Sequence, residues 1–164
     1  MIGIEKQDYP LAEGLTLALR VAKGTKLAEL MGIRQSNLSG YASGRFLPTG
    51  SRLEGMNDGL QNIGEALMSV RMTRENWKEV YEQLREFIKL TPMLKDECGL
   101  DRVWVAHHIT STRDRYYGQF TDEELRKINE AVMRIALRLL QIHLVLPMQE
   151  NTPESTETTT QVQG

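Results

Sequence analysis

Four consecutive residues, Arg34, Gln35, Ser36 and Asn37, carry side chains suited to the edge of a nucleobase. A carboxamide such as that of Gln35 or Asn37 sets a donor beside an acceptor and pairs bidentately with adenine. A guanidinium such as that of Arg34 does the same with guanine, and a hydroxyl such as that of Ser36 accepts or donates to either. Close by in the chain are Lys26, Ser43, Arg45 and Thr49. These are cations and hydroxyls of the kind that hold phosphate oxygens. The same polar set would also serve as a plain solvated surface, so the scaffold has to decide.

That scaffold is the stretch 26–49, KLAELMGIRQSNLSGYASGRFLPT. Leu27, Met31 and Ile33 can face one core, and Leu38 and Tyr41 can face it from a second helix. Gly32 stands where the first helix must end sharply, because glycine takes the left-handed conformation without a Cβ penalty. The spacing predicts helices over 26–31 and 35–43 joined by a tight glycine turn, a helix-turn-helix. Before it, 10–23 reads as an amphipathic helix with Leu11, Leu15, Ala18, Leu19 and Ala22 on one face, and Thr25 is the expected cap of the next. Residues 1–9 are expected to be a loosely held lead-in. After the motif come a loop over 44–55 and a helix over 56–72, with Leu60, Ile63, Leu67 and Val70 inward.

The stretch resembles the helix-turn-helix of the phage-repressor/Cro (XRE) family. Ala28, Gly32, Leu38 and Tyr41 fill that family's small, glycine, apolar and aromatic slots, and Ser43, Gly44, Arg45, Pro48 and Thr49 match its usual continuation. The resemblance implies that the second helix enters the major groove, with Gln35 as the foremost base-reading residue and Ser36 next. Asn37 and Arg34 would read a base or hold a phosphate. Lys26, Ser43, Arg45 and Thr49 would hold the backbone. Gly40 departs from the family, whose slot often carries a long polar side chain, and it is expected to face solvent without direct readout. The implied function is sequence-specific binding of double-stranded DNA by a repressor-like transcriptional regulator of phage or bacterial type.

The rest of the chain echoes this unit. Thr73 is the expected cap of a helix over 74–90, with Trp77, Val80, Tyr81, Leu84, Phe87 and Ile88 on one stripe. Placing Gly99 over Gly32 aligns Leu94 with Leu27 and Leu100 with Ile33, a step of 67 residues. Beyond the loop, 56–70 lies over 121–135 at a step of 65, with Leu60/Leu125, Ile63/Ile128, Glu65/Glu130, Ala66/Ala131 and Met68/Met133 identical. A repeat of this length reads as a tandem duplication. The expected fold is all-α: one unit over 10–72, a divergent second over 74–146, and a disordered tail over 147–164, rich in Thr, Glu and Gln. The second unit's DNA candidates are Arg102, Trp104, His107, Arg113 and Arg115, although Val103 and Trp104 are unusual on a base-reading face. It reads either as a second DNA reader or as a degenerate copy used for pairing. Thr121 and Glu124 form a capping-box pattern opening a helix that runs to about Leu146. Its far end is apolar most of the way round, so it needs cover from the first unit or from a second chain. A homodimer through 122–146 is one expectation.

Bulk composition restricts the alternatives. The 164 residues are 40% hydrophobic and 26% charged, with a net charge of −2. Over residues 1–52, seven bases against four acids leave +3, so the positive charge gathers around the motif. No apolar run reaches the roughly 18–20 residues of a membrane span. No secretory signal is visible and there is one cysteine, Cys98, which fits a reducing cytoplasm. His107, His108, His143 and Cys98 make no known zinc spacing. No nucleophile–base arrangement or phosphate-binding glycine loop is present, so neither enzyme nor cofactor is expected. The rival to DNA binding is a protein-interaction or antitoxin-type module that retains the helix-turn-helix fold.

Overall fold

The computed structural model describes residues 4–100 and 120–147. The second-unit candidates Arg102, Trp104, His107, Arg113 and Arg115, and nearly all of the expected tail, lie outside the described residues.

Apolar residues at helical spacing turn inward, and the described residues fold around them as seven helices and two four-residue strands. The order is β1 (Gln7–Pro10), α1 (Leu11–Val21), α2 (Gly24–Met31), α3 (Gln35–Ala42), α4 (Gly50–Met68), α5 (Trp77–Phe87), α6 (Leu90–Cys98), α7 (Asp122–Gln141) and β2 (Ile142–Val145). One continuous core runs from Leu11 to Leu144, and no polar or charged residue is buried in it among the described residues. Leu60, Ile63, Leu67, Leu84 and Ile128 are all within it, on the faces that periodicity assigned.

Several boundaries differ from expectation. Lys23, not Thr25, precedes α2 as its cap residue. Residues 50–55 are helix rather than loop, because the Thr49 hydroxyl accepts from the Arg52 N–H at 3.2 Å and starts α4 there. Thr73 does not cap α5 directly. Its N–H donates to Asn76 Oδ1 at 2.6 Å and its hydroxyl accepts from the Asn76 N–H at 3.2 Å, making a closed turn ahead of the helix. The capping box at Thr121 and Glu124 is present.

The largest departure is at the two ends. Residues 7–10 are a strand, paired in parallel with 142–145 in the register Gln7↔Ile142 to Pro10↔Val145. The last helix therefore stops at Gln141, and the lead-in is held. Lys6 Nζ adds bonds to the Leu140 carbonyl at 2.7 Å and to Gln61 Oε1 at 2.9 Å. The apolar face of α7 is covered from within the chain. Gly64 of α4 lies so close to Leu140 and the Ala136 carbonyl that a Cβ would collide with the Leu140 side chain.

Contacts between the halves come in reciprocal pairs. The Lys23 N–H donates to the Phe87 carbonyl at 2.9 Å, and the Lys89 N–H donates to the Val21 carbonyl at 2.8 Å. Asn57 donates to the Leu144 carbonyl at 3.0 Å and accepts from its N–H at 2.7 Å. Asn129 does the same to Met72, at 2.9 and 2.8 Å. The matched residues are a step of 72 apart (57 to 129, 72 to 144), as are the helix caps Thr49 and Thr121, whose φ values are both −71°. This step exceeds the 65 read from sequence by seven residues, two helical turns. A helix returns the same face after that interval, so the apolar pattern alone does not distinguish the two registers.

Glu97 of α6 ties that helix to α7. Its Oε2 lies 2.9 Å from Arg138 Nη1, and Arg134 Nε is 3.5 Å from Oε1. The hydrogen bond from Arg138 is the main cause holding this carboxyl below its ordinary pKa. A depressed folded-state pKa contributes stability that is complete above the ordinary carboxylate range and is lost as pH falls through the folded value. Glu97→Gln should therefore cost about 1 kcal/mol at pH 7, a value scaled for a partly exposed pair. The cost should shrink as the solution is acidified below the carboxylate range. Urea titrations at pH 7 and pH 3 check this, and an equal difference at both would contradict it.

Candidate nucleic-acid interface

Leu27, Ala28 and Met31 anchor α2 in the core, and Leu38 and Tyr41 anchor α3. Between them Gly32 adopts φ 73° and ψ 30°, and its N–H reaches the carbonyls of Ala28 and Glu29. The Ile33 N–H closes on the Ala28 carbonyl at 3.0 Å. This is a left-handed helix stop, and any Cβ there would strain it. Arg34 follows in extended conformation as the cap residue of α3, and its carbonyl accepts from the Leu38 N–H at 3.0 Å.

With Leu38 and Tyr41 inward, Arg34, Gln35 and Ser36 project into solvent and Asn37 is half-buried. The structure thus brings the four base-edge candidates to the first turn of one exposed helix. Ser39 is exposed on the same helix, four residues on from Gln35. The i, i+4 spacing was signal enough to include it, and it was missed.

Gly40 is not where it was expected. It is buried, and the Phe46 ring lies directly against it, leaving no room for a Cβ. The same ring meets Tyr41 edge-on at 5.2 Å between centroids, and the Arg45 guanidinium sits 5.9 Å from its centre. Gly40 therefore seats the following loop rather than facing a partner.

The phosphate candidates fall into two groups. Ser43 and Arg45 are neighbours at the end of α3. The Ser43 hydroxyl donates to the Gly40 carbonyl at 3.1 Å and accepts from Arg45 Nε at 3.3 Å. Thr49 opens α4 as its cap. Lys26 is placed elsewhere. Its Nζ lies 3.5 Å from Glu29 and 4.8 Å from the centre of the Phe87 ring, with the side chain only 18% exposed. Arg52, which was not singled out, is exposed in the first turn of α4 beside Thr49.

Charge pairing separates the arginines of the two halves. Arg34 and Arg52 make no ion pair among the described residues, and Arg45 bonds only to a hydroxyl. Arg74, Arg85, Arg126, Arg134 and Arg138 are each paired with a carboxylate. Unpaired cations keep a positive potential at the surface, while paired ones largely cancel theirs. Arg34, Arg45 and Arg52 therefore keep their positive potential on the side of the molecule that carries α3 and the start of α4.

No group of metal-ligating side chains occurs among the described residues. Cys98 is buried against Met93 and the Lys127 carbonyl, and burial pushes its thiol pKa up to about 11. His143 is paired with Asp8 across the small sheet at 2.9 Å. No helix among the described residues is long and apolar enough to cross a membrane. Comparisons with protein families, curated proteins and solved structures find no match for the chain.

Proposed function

We propose that this chain binds double-stranded DNA sequence-specifically and regulates transcription, as a repressor-type protein built from two helix-turn-helix units over 10–72 and 74–146. In this reading α3 lies in the major groove. Gln35 and Ser36 meet base edges, with Asn37 and Arg34 on a base or a phosphate. Ser43, Arg45 and Thr49, joined by Arg52, hold the backbone. The observation that carries the reading is the left-handed stop at Gly32. It presents the first turn of α3, with its amide and hydroxyl side chains, beside Arg34, Arg45 and Arg52, which make no ion pair among the described residues.

Mobility-shift titration of a duplex selected from a random pool tests it. Gln35→Ala should weaken binding about 10- to 100-fold and relax the sequence preference at one position. Arg45→Ala should weaken binding to all sequences alike and lower the salt slope by about one. Both side chains are exposed, so circular dichroism should be unchanged. Absence of salt-sensitive binding at about 50 mM salt would sink the reading.

A protein-interaction role is the second reading. Phe46 and Leu47 favour it, being 43% and 48% exposed directly beside α3. Selective loss of a protein partner in Leu47→Ser, with DNA affinity intact, would support that role.

A further inference from the structure

The outward face of α3 carries an aromatic ring from outside the helix. Residues four apart on a helix share a face, about 40° from each other. Gly40 is four on from Ser36, which is exposed in the first turn of α3. It stands about 130° round from the direction midway between Leu38 and Tyr41, which point into the core. By helical phase Gly40 lies on the side turned to solvent, and it is buried because the Phe46 ring covers it. A Cβ on Gly40 would overlap that ring. The ring therefore stands where a side chain at position 40 would stand.

That placement is fixed by the loop. The Arg45 N–H donates to the Gly40 carbonyl at 2.9 Å, and the Ser43 hydroxyl donates to the same carbonyl at 3.1 Å. Tyr41 meets the ring edge-on at 5.2 Å between centroids, yet 43% of Phe46 remains exposed. Its surroundings are cationic. The Arg45 guanidinium sits 5.9 Å from the ring centre, and neither it nor Arg34, at the start of the same helix, makes an ion pair among the described residues. An apolar surface set among unneutralised cations complements a partner that offers apolar groups between negative charges. The major groove of DNA is such a partner, because the C5 methyl of thymine lies on its floor between two rows of phosphates.

We infer that Phe46 is a base-reading residue that recognises the C5 methyl group of a thymine, an assignment that rests on the DNA-binding reading above and adds one position and one base to it. With α3 in the major groove, Gln35 and Ser36 meet polar base edges from its first turn. The ring covers α3 at Gly40, about 6 Å further along the helix than Ser36 on the same face, so it meets a different base. Its contact is apolar and needs no hydrogen bond. It separates thymine from cytosine by a methyl group, where the polar side chains separate bases by donors and acceptors. Gly40 serves this contact by lacking a side chain, since any other residue there would displace the ring.

The test uses the full chain and a duplex selected from a random pool. Each thymine of the selected site is replaced in turn by deoxyuridine, which lacks only the C5 methyl. At one position the affinity should fall about fourfold, the worth of one buried methyl group. In Phe46→Ala this uracil penalty should vanish. A ring that only props the loop would weaken binding to both duplexes equally and keep the penalty, so the thymine-to-uracil ratio separates the two roles. Phe46→Leu keeps Gly40 covered by a smaller apolar side chain, and it should lower the penalty with circular dichroism unchanged. Gly40→Gln combined with Phe46→Ala puts a carboxamide in the vacated place, and selection should then move that position from thymine to adenine. A uracil scan without a penalty, or a full penalty that persists in the Phe46 variants, overturns the inference while leaving DNA binding intact. Loss of a protein partner in Phe46→Ala with the penalty unchanged assigns the ring to protein contact and overturns it too. Failure to bind any duplex at about 50 mM salt overturns the DNA reading and the inference with it, so the two failures are distinct.

Discussion

Asn57→Ala and Asn129→Ala should each lower the unfolding free energy by about 2 kcal/mol, and together by about 4. Each carboxamide satisfies both backbone groups of one residue, Leu144 for Asn57 and Met72 for Asn129. Leu144 sits in β2 and Met72 in the connector after α4, and in each the carboxamide takes both the N–H and the C=O of the residue. Truncation leaves a donor and an acceptor in a half-buried place with nothing to bond. Ala is the better helix former by about 0.5 kcal/mol, which offsets part of the loss. Urea titration gives the free energies. The two clamps share no partner, so their effects should add. A loss under about 0.5 kcal/mol for both single variants would show that water replaces the carboxamides and that the clamps do not hold the halves together.

Gly59→Ala should destabilise by about 2 kcal/mol, a drop of roughly 4–8 °C in Tm. A Cβ at Gly59 would come within 2.9 Å of the Met31 backbone nitrogen and Cα. Backbone cannot rotate out of the way as a side-chain tip can. α2 must shift, and the Gly32 turn and α3 shift with it. The control is Gly55→Ala on the same helix, where the nearest atom is the Met31 carbonyl at an ordinary 3.6 Å. That change should stabilise by up to about 1 kcal/mol through helix propensity. Opposite signs for the two substitutions identify close approach of α4 to α2 as the cause. Equal signs would refute it.

The parts of this fold legible in the sequence are those that local chemistry decides. Gly32 could be placed because a left-handed stop has a specific residue preference, and Thr121 with Glu124 because a capping box is contained in four residues. The faces of α4, α5 and α7 followed from spacing. What was missed depends on residues far apart in the chain. Gly50 and Gly55 argue against helix locally, yet burial of Met56 and the cap at Thr49 extend α4 over them. The run Ile142–Val145 reads as more of an apolar helix until residues 7–10 lie beside it and Asn57 takes both backbone groups of Leu144. Gly40 looked exposed because nothing in its own turn indicates that Phe46 folds back onto it. Helical phase alone predicts that Arg34, Gln35 and Ser36 are exposed, as they are. The cover over Lys26 is not legible locally, because its neighbour Phe87 lies on another helix.

The pairing of β1 with β2 has a topological consequence. The connector between α4 and α5 spans residues 69–76 and is covalent. At the equivalent place in the other half, β2 leaves α7 and β1 enters α1, side by side but not joined. The chain is thus a ring with one link sewn and the other held by hydrogen bonds. Because the strands run parallel, Val145 ends beside Pro10, and a linker has only to return the length of β1, roughly 10 Å at 3.3 Å per residue. A circular permutant joined across that gap and opened between residues 73 and 76 would exchange the two links while keeping every helix and both asparagine clamps.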